Sequence, residues 1–296
     1  MSTAIPTPAP AVQVRWPLAW LLAILAAGLV LRVLHFKDEA FQLDEFTALA
    51  AVAERPGVEV GTTPTADDPL VPVGSLAEVS NRSVIPFGVR DPGPLYHAIL
   101  WRVCQVLPVA DWSLRLPSLL AGLACVAAVF FLIRRPFGDE MALVAALFVA
   151  LDPIQVATSW LARPYALANL FVVLSFAALR GLLRTSEPRT AALLAVGYGA
   201  CVAVIGYLNG LLLFVVAAHV GMVLYAVRGG AGGTARQAAG YWAGGLVFAA
   251  ILLAPESAYL YQVSAFALDH RDYLTAVNEI HLFTPLKALV EHNLVF

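Results

Sequence analysis

"LPSLLAGLACVAAVFFLIRRPFGDEMALVAALFVALDPIQVAT", residues 116–158, consists of two apolar runs joined by a short charged link. Each run, Leu116–Ile133 and Met141–Thr158, has about the length a tilted α-helix needs to cross the hydrocarbon core of a bilayer. Backbone N–H and C=O groups in lipid must be paired within the protein, so such runs form helices. The link carries Arg134, Arg135, Asp139 and Glu140, which belong in water. The stretch therefore predicts two consecutive crossings that meet at one membrane surface.

Five more runs of this kind cover Trp16–Phe36, Tyr165–Leu183, Ala191–Gly206, Leu211–Val227 and Tyr241–Pro255, which brings the expected number of crossings to seven. Composition agrees with the runs. The chain has 296 residues, of which 60% are hydrophobic and 13% charged, with a mean hydropathy of +0.79. Soluble domains seldom have such values, and the expected fold class is an all-α polytopic membrane protein. A net charge of −2 without a basic block excludes nucleic acid as a partner. Cys104, Cys125 and Cys201 are far apart and match no disulfide or metal template, so they read as small core hydrophobes.

Residues 1–15, "MSTAIPTPAPAVQVR", are rich in Pro and Ala and read as a disordered cytoplasmic tail. The run after them lacks a small-x-small cleavage site and reads as a retained anchor. The links "IRRPFGDE", "RGLLRTSEPR" and "VRGGAGGTARQ" carry arginine and alternate with "SWLARP" and "GYLNG", which places the arginine-bearing links in the cytoplasm. By this alternation residues 37–114 form one long outer loop within a membrane module of residues 16–256. Residues 257–296 form an outer C-terminal segment.

The segment "GPLYHAILWRVCQVLPVA", 93–110, has His97, Arg102 and Gln105 in its middle. A central Arg costs about 2.5–3.5 kcal/mol on insertion scales, so the segment is expected to lie at the outer interface instead of crossing. Its apolar side is expected on lipid and its polar side toward a cavity. In the same loop "LDEFTALAAVAE" has helical spacing and opens on Asp44 and Glu45. Two readings of this acidic pair stand open: a helix cap that complements the dipole, or groups that take a proton from a substrate.

"RDPGPLYH", residues 90–97, brings Asp91, Tyr96 and His97 behind a Pro-Gly-Pro turn, and turn chemistry alone explains Asp91. "ATSWLARPYALANL" sets Arg163 between Trp160 and Tyr165 at the outer end of a crossing. These residues suit an interfacial aromatic belt with a snorkelling cation, and equally a bidentate guanidinium for a phosphate at the membrane surface. Asp152 reads as a break before Pro153, and His219 as an interhelical hydrogen bonder. Asp269, His270, Glu279 and His281 match no strong metal template, and the sequence leaves the need for a divalent metal open.

In order along the chain, the acidic pair after the first span, the Pro-Leu-Tyr motif, "SLRLPSLLAGLACVAAVFFLIRR" and "ARPYAL" resemble the GT-C-type membrane glycosyltransferases. More narrowly they are similar to glycosyltransferase family 39 and the aminoarabinose-transferase-like proteins, among which the protein O-mannosyltransferases belong. The resemblance covers about residues 16–256. It implies a GT-C-type helical core that moves a sugar, with inversion, from a polyprenyl-phosphate carrier to a lipid, glycan or protein acceptor. The site it implies lies on the outer face of the membrane; the scarcity of lysine beside arginine and the richness in Ala, Leu and Gly point to a bacterial plasma membrane.

The resemblance also implies Asp44 as general base, with Glu45 positioning it or the acceptor. Asp91, Tyr96, His97, Trp160, Arg163 and Tyr165 become the expected substrate-binding residues. Gly93 stands where the family motif has a proline, and Arg163 where the aminoarabinose transferases have an acid. Relatives continue through further crossings, so the chain reads as a short member or part of one. The competing class is a non-catalytic protein of the same fold that binds a lipid carrier or a partner subunit.

Overall fold

The computed structural model describes residues 16–34, 43–54, 70–82, 94–229 and 232–269, with side chains at all of these except 43, 44, 46, 47, 80, 81, 232, 233 and 256–269. The 1–15 tail, Asp91, His270, Glu279 and His281 lie outside the described residues, as do the side chains of Asp44 and Asp269.

In chain order the elements are α1 (Pro17–Leu34), α2 (Leu43–Val52), β1 (Ala53–Glu54), β2 (Val71–Pro72), α3 (Leu76–Arg82), α4 (Pro94–Val106), α5 (Asp111–Leu151), α6 (Pro153–Trp160), α7 (Tyr165–Leu182), α8 (Pro188–Leu208), α9 (Val215–Arg228) and α10 (Gly232–Asp269). A 3-10 turn, Gly210–Phe214, leads into α9. Six helices among the described residues are long and apolar enough to cross a membrane. One of them, α5, contains the first run of the 116–158 stretch and residues 141–151 of the second, which continues into α6. At Gly138 its backbone leaves helical geometry, with φ 86° and ψ 176°, a conformation open to glycine and costly for other residues.

The packing shows that α5 folds back on itself there. Val126 and Phe130 share one buried cluster with Ala142, Ala146 and Leu21 of α1. In a straight helix Phe130 and Ala146 would stand about 24 Å apart. A Cβ on Gly28 would touch both Ala150, at 3.5 Å, and Leu123, at 3.9 Å, so the two arms of α5 flank α1 together. Arg134 and Asp139 form an ion pair across the bend. With α5 bent at Gly138 and its second arm continuing into α6, the described residues place a helical segment at each of the seven runs.

The second arm passes into α6 through the Asp152–Pro153 break. Asp152 caps α6 by accepting the Ile154 N–H at 2.9 Å, which accounts for this acid without a reactive role. Asn209 caps the 3-10 turn in the same way, accepting from Leu211 N at 3.1 Å. His219 of α9 is buried between α7 and α8, 3.0 Å from the Tyr198 hydroxyl and 3.5 Å from Ser175 Oγ, as an interhelical hydrogen bonder. Helices α8 and α10 approach through glycine. A Cβ on Gly199 would lie 2.3 Å from the Gly245 carbonyl oxygen, and one on Gly245 2.6 Å from that of Ala195.

Helices α2, α3 and α4 and the two-stranded β1–β2 pair pack together over one end of the bundle. Ala48, Val52, Val73, Tyr96 and Leu100 form a common core there with Leu114 of α5, Ala168 of α7 and Leu208 of α8. The Trp101 indole N–H donates to the Val73 carbonyl at 2.9 Å. Arg82 pairs with both Glu54 and Glu78 and ties α3 to β1.

Helix α4 has 13 residues, too few to span a bilayer core. Its faces, however, are partitioned differently from the expectation. Tyr96, His97, Leu100 and Cys104 point into the protein, while Arg102 and Gln105 are exposed. The buried side is the one that packs on α2, α5 and α8, and tertiary packing outweighs the polarity of single positions.

Candidate functional site

Three chain segments meet where α2 touches the start of α5. Glu45 is fully buried and lies in the first turn of α2. Arg115, one turn into α5 and also buried, holds it with two parallel hydrogen bonds, Nε to Oε1 at 3.0 Å and Nη2 to Oε2 at 2.9 Å. Oε1 accepts a further hydrogen bond from the Ala162 backbone N–H at 2.7 Å. The last donor belongs to the short segment between α6 and α7 that also carries Arg163. A bidentate carboxylate–guanidinium pair with an added amide is rigid, and in a buried place each charge depends on the other.

A second strand of contacts runs beside it. The Tyr96 hydroxyl and Ser118 Oγ are 2.7 Å apart, and Ser118 Oγ donates to the Arg163 carbonyl at 2.9 Å. Burial pushes the Tyr96 phenol well above its usual pKa; the Ser118 hydrogen bond opposes the rise, Glu45 adds to it and Arg163 opposes it. Tyr96 is therefore a neutral hydroxyl at any physiological pH, and it lies within electrostatic reach of both Glu45 and Arg163. The Arg163 guanidinium is half-buried, with Cζ 5.9 Å from the centre of the Tyr165 ring.

Of the residues singled out in the sequence, the structure thus brings Glu45, Tyr96, Arg163 and Tyr165 into one region. His97 is buried next to Tyr96 on the inner face of α4. Trp160 is half-buried as the last residue of α6, three positions before Arg163. Asp44 has a described backbone position in α2, directly before Glu45.

Arg115 and Ser118 were not singled out in the sequence. Their signal was a lone cation and a hydroxyl at the head of an apolar run, in "SLRLPS", where an interfacial arginine is ordinary. Among the described residues no three His, Cys, Asp or Glu side chains converge on a point that a metal ion could occupy. The chemistry on hand is a locked acid, a phenol, a hydroxyl and a cation.

No curated protein and no solved structure matches the chain. The family model for dolichyl-phosphate-mannose-protein mannosyltransferase matches residues 91–259, more than half of the 296. The match takes in Arg115, Ser118 and Arg163, and α2 with its two acids lies ahead of it. By that match, and by helices able to cross a membrane, the chain belongs to the dolichyl-phosphate-mannose-protein mannosyltransferase family and is a GT-C-type membrane glycosyltransferase.

Proposed function

We propose that this chain transfers a sugar, with inversion, from a polyprenyl-phosphate carrier to an acceptor hydroxyl at the outer membrane surface. Asp44 is the general base, and Arg163 stabilises the departing lipid phosphate. Bacterial plasma membrane is the setting we assign to it. The observation that carries the reading is the clamp on Glu45 by Arg115 and Ala162 N–H. It fixes the register of α2 against the segment that bears Arg163.

Asp44 directly precedes Glu45 in the first turn of α2, so the clamp on Glu45 also anchors the backbone that carries it. The acceptor hydroxyl must lose a proton as its oxygen attacks the anomeric carbon, and the carbon–oxygen bond to the phosphate must break with the electron pair leaving on the phosphate. A carboxylate serves the first need and a guanidinium the second. Glu45 has both oxygens engaged, which suits a positioning role. Asp91, Tyr96, His97, Trp160 and Tyr165 are assigned to binding of donor and acceptor around these groups. A carrier with an apolar tail and a polar sugar also suits a site at the end of a helical bundle, under a layer of short interfacial helices.

The test is donor choice. Purified chain in liposomes, given radiolabelled mannose either on polyprenyl phosphate or on a nucleotide, is expected to consume only the lipid-linked form and to release product of opposite anomeric configuration. Use of the nucleotide sugar, or retention of configuration, contradicts the reading.

A further inference from the structure

A second region rich in chemistry lies at the other end of the bundle. A cavity of about 1360 Å³ opens between the bend of α5 and the last turns of α7, next to the start of α8. Arg134, Arg135, Arg180 and Arg184 line it, against two acids, Asp139 and Glu140. Arg134 is already paired with Asp139. Three guanidiniums and one carboxylate remain, so the cavity carries net positive charge from its described lining.

Arg180 gives the cavity its particular chemistry. Its Nη1 donates to the Leu132 carbonyl at 2.6 Å, which fixes the side chain against α5. Its Nη2 is buried with no hydrogen-bond partner. A buried cationic donor without an acceptor is costly, and Arg135 and Arg184 are like-charged neighbours that add repulsion. The repulsion falls if an anion enters the cavity.

Apart from Thr185 and Thr190 the rest of the lining is apolar and includes Phe131 and Phe137, which are 53% and 64% exposed. A basic end joined to an apolar wall matches an amphipathic anion better than a free ion. This is not the sugar-transfer site. Arg115 and Arg134 lie on the same arm of α5, 19 residues and so about 28 Å apart.

We propose that this cavity binds an anionic membrane lipid, with its headgroup phosphate on Arg180, Arg184 and Arg135 and its acyl chains along Phe131 and Leu174. The lipid acts as a bound structural or regulatory ligand, and no bond is made or broken. General attraction of basic loops to an anionic surface would depend equally on every arginine-bearing link; the proposal places the dependence on this cavity.

Native mass spectrometry of the full chain tests it, with equal amounts of phosphatidylglycerol and phosphatidylcholine added to the detergent micelles. We expect about tenfold or greater preference for phosphatidylglycerol. Arg180→Gln combined with Arg184→Gln should abolish the preference. Arg184→Gln alone, at an exposed position that does not threaten folding, should reduce it several-fold. Arg228→Gln with Arg236→Gln, in the next arginine-bearing link, should leave it intact. Equal retention of both lipids, or equal loss in the two double variants, overturns the proposal. Displacement of the lipid by inorganic phosphate at comparable concentration would also overturn it, by showing that the apolar wall contributes nothing and the source is a free ion.

Discussion

At position 45 a carboxylate with no solvent exposure is held by a guanidinium 70 positions away and an amide 117 positions away. Taking out one member of such a pair strands a buried charge, at about 3–5 kcal/mol, whereas replacing both with apolar residues of similar volume is often neutral. Glu45→Ala should therefore lower the thermal midpoint of the purified protein sharply, and Glu45→Leu with Arg115→Met should recover most of the loss. A double variant as unstable as the single one would show that the pair is not the cause.

The acids of "LDEF" were visible in the sequence as a pair, but the buried clamp on Glu45 was not. Arg115 was unreadable too: a cation at the end of an apolar run has an ordinary explanation until its partner is seen. Cys104 fared better as a small core residue, since it is buried and burial raises its thiol pKa to about 11.

Among the elements, the hairpin of α5 was legible because length and charge define it. Two runs long enough to span, with "RRPFGDE" between them, leave little choice, and Gly138 supplies the backbone freedom for the bend. Helix α4 was legible as a helix too polar to cross, but not as to which side it buries, because that depends on partners from α2, α5 and α8.

The contact of α8 with α10 was hidden for a similar reason. "AGGLV" offers two glycines, and only geometry shows that Gly245 abuts Ala195 while a Cβ on Gly244 meets nothing within 4 Å. Gly245→Ala should lower stability by about 1–3 kcal/mol through forced separation of the helices. Gly244→Ala should leave it unchanged or raise it, by up to about 1 kcal/mol of helix propensity. Thermal unfolding in detergent checks the opposite signs; equal effects from both would contradict the packing.

For the whole molecule, the fold was more legible than the site because a bilayer makes every crossing declare itself in length and hydropathy. The site has no such constraint. It is assembled from α2, α4, the start of α5 and the link before α7, elements whose order along the chain was readable and whose convergence was not. The family match spans residues 91–259 and so covers only part of that assembly, which leaves the proposed base on α2 to be tested on its own.

The direct test of the central claim is sugar transfer by Asp44→Asn in liposomes supplied with labelled polyprenyl-phosphate mannose and acceptor. The substitution keeps the shape of the side chain and removes its basicity, so transfer should fall by about 10²–10⁴-fold with protein level and thermal midpoint unchanged. Transfer at the wild-type rate by a folded Asp44→Asn protein would contradict it.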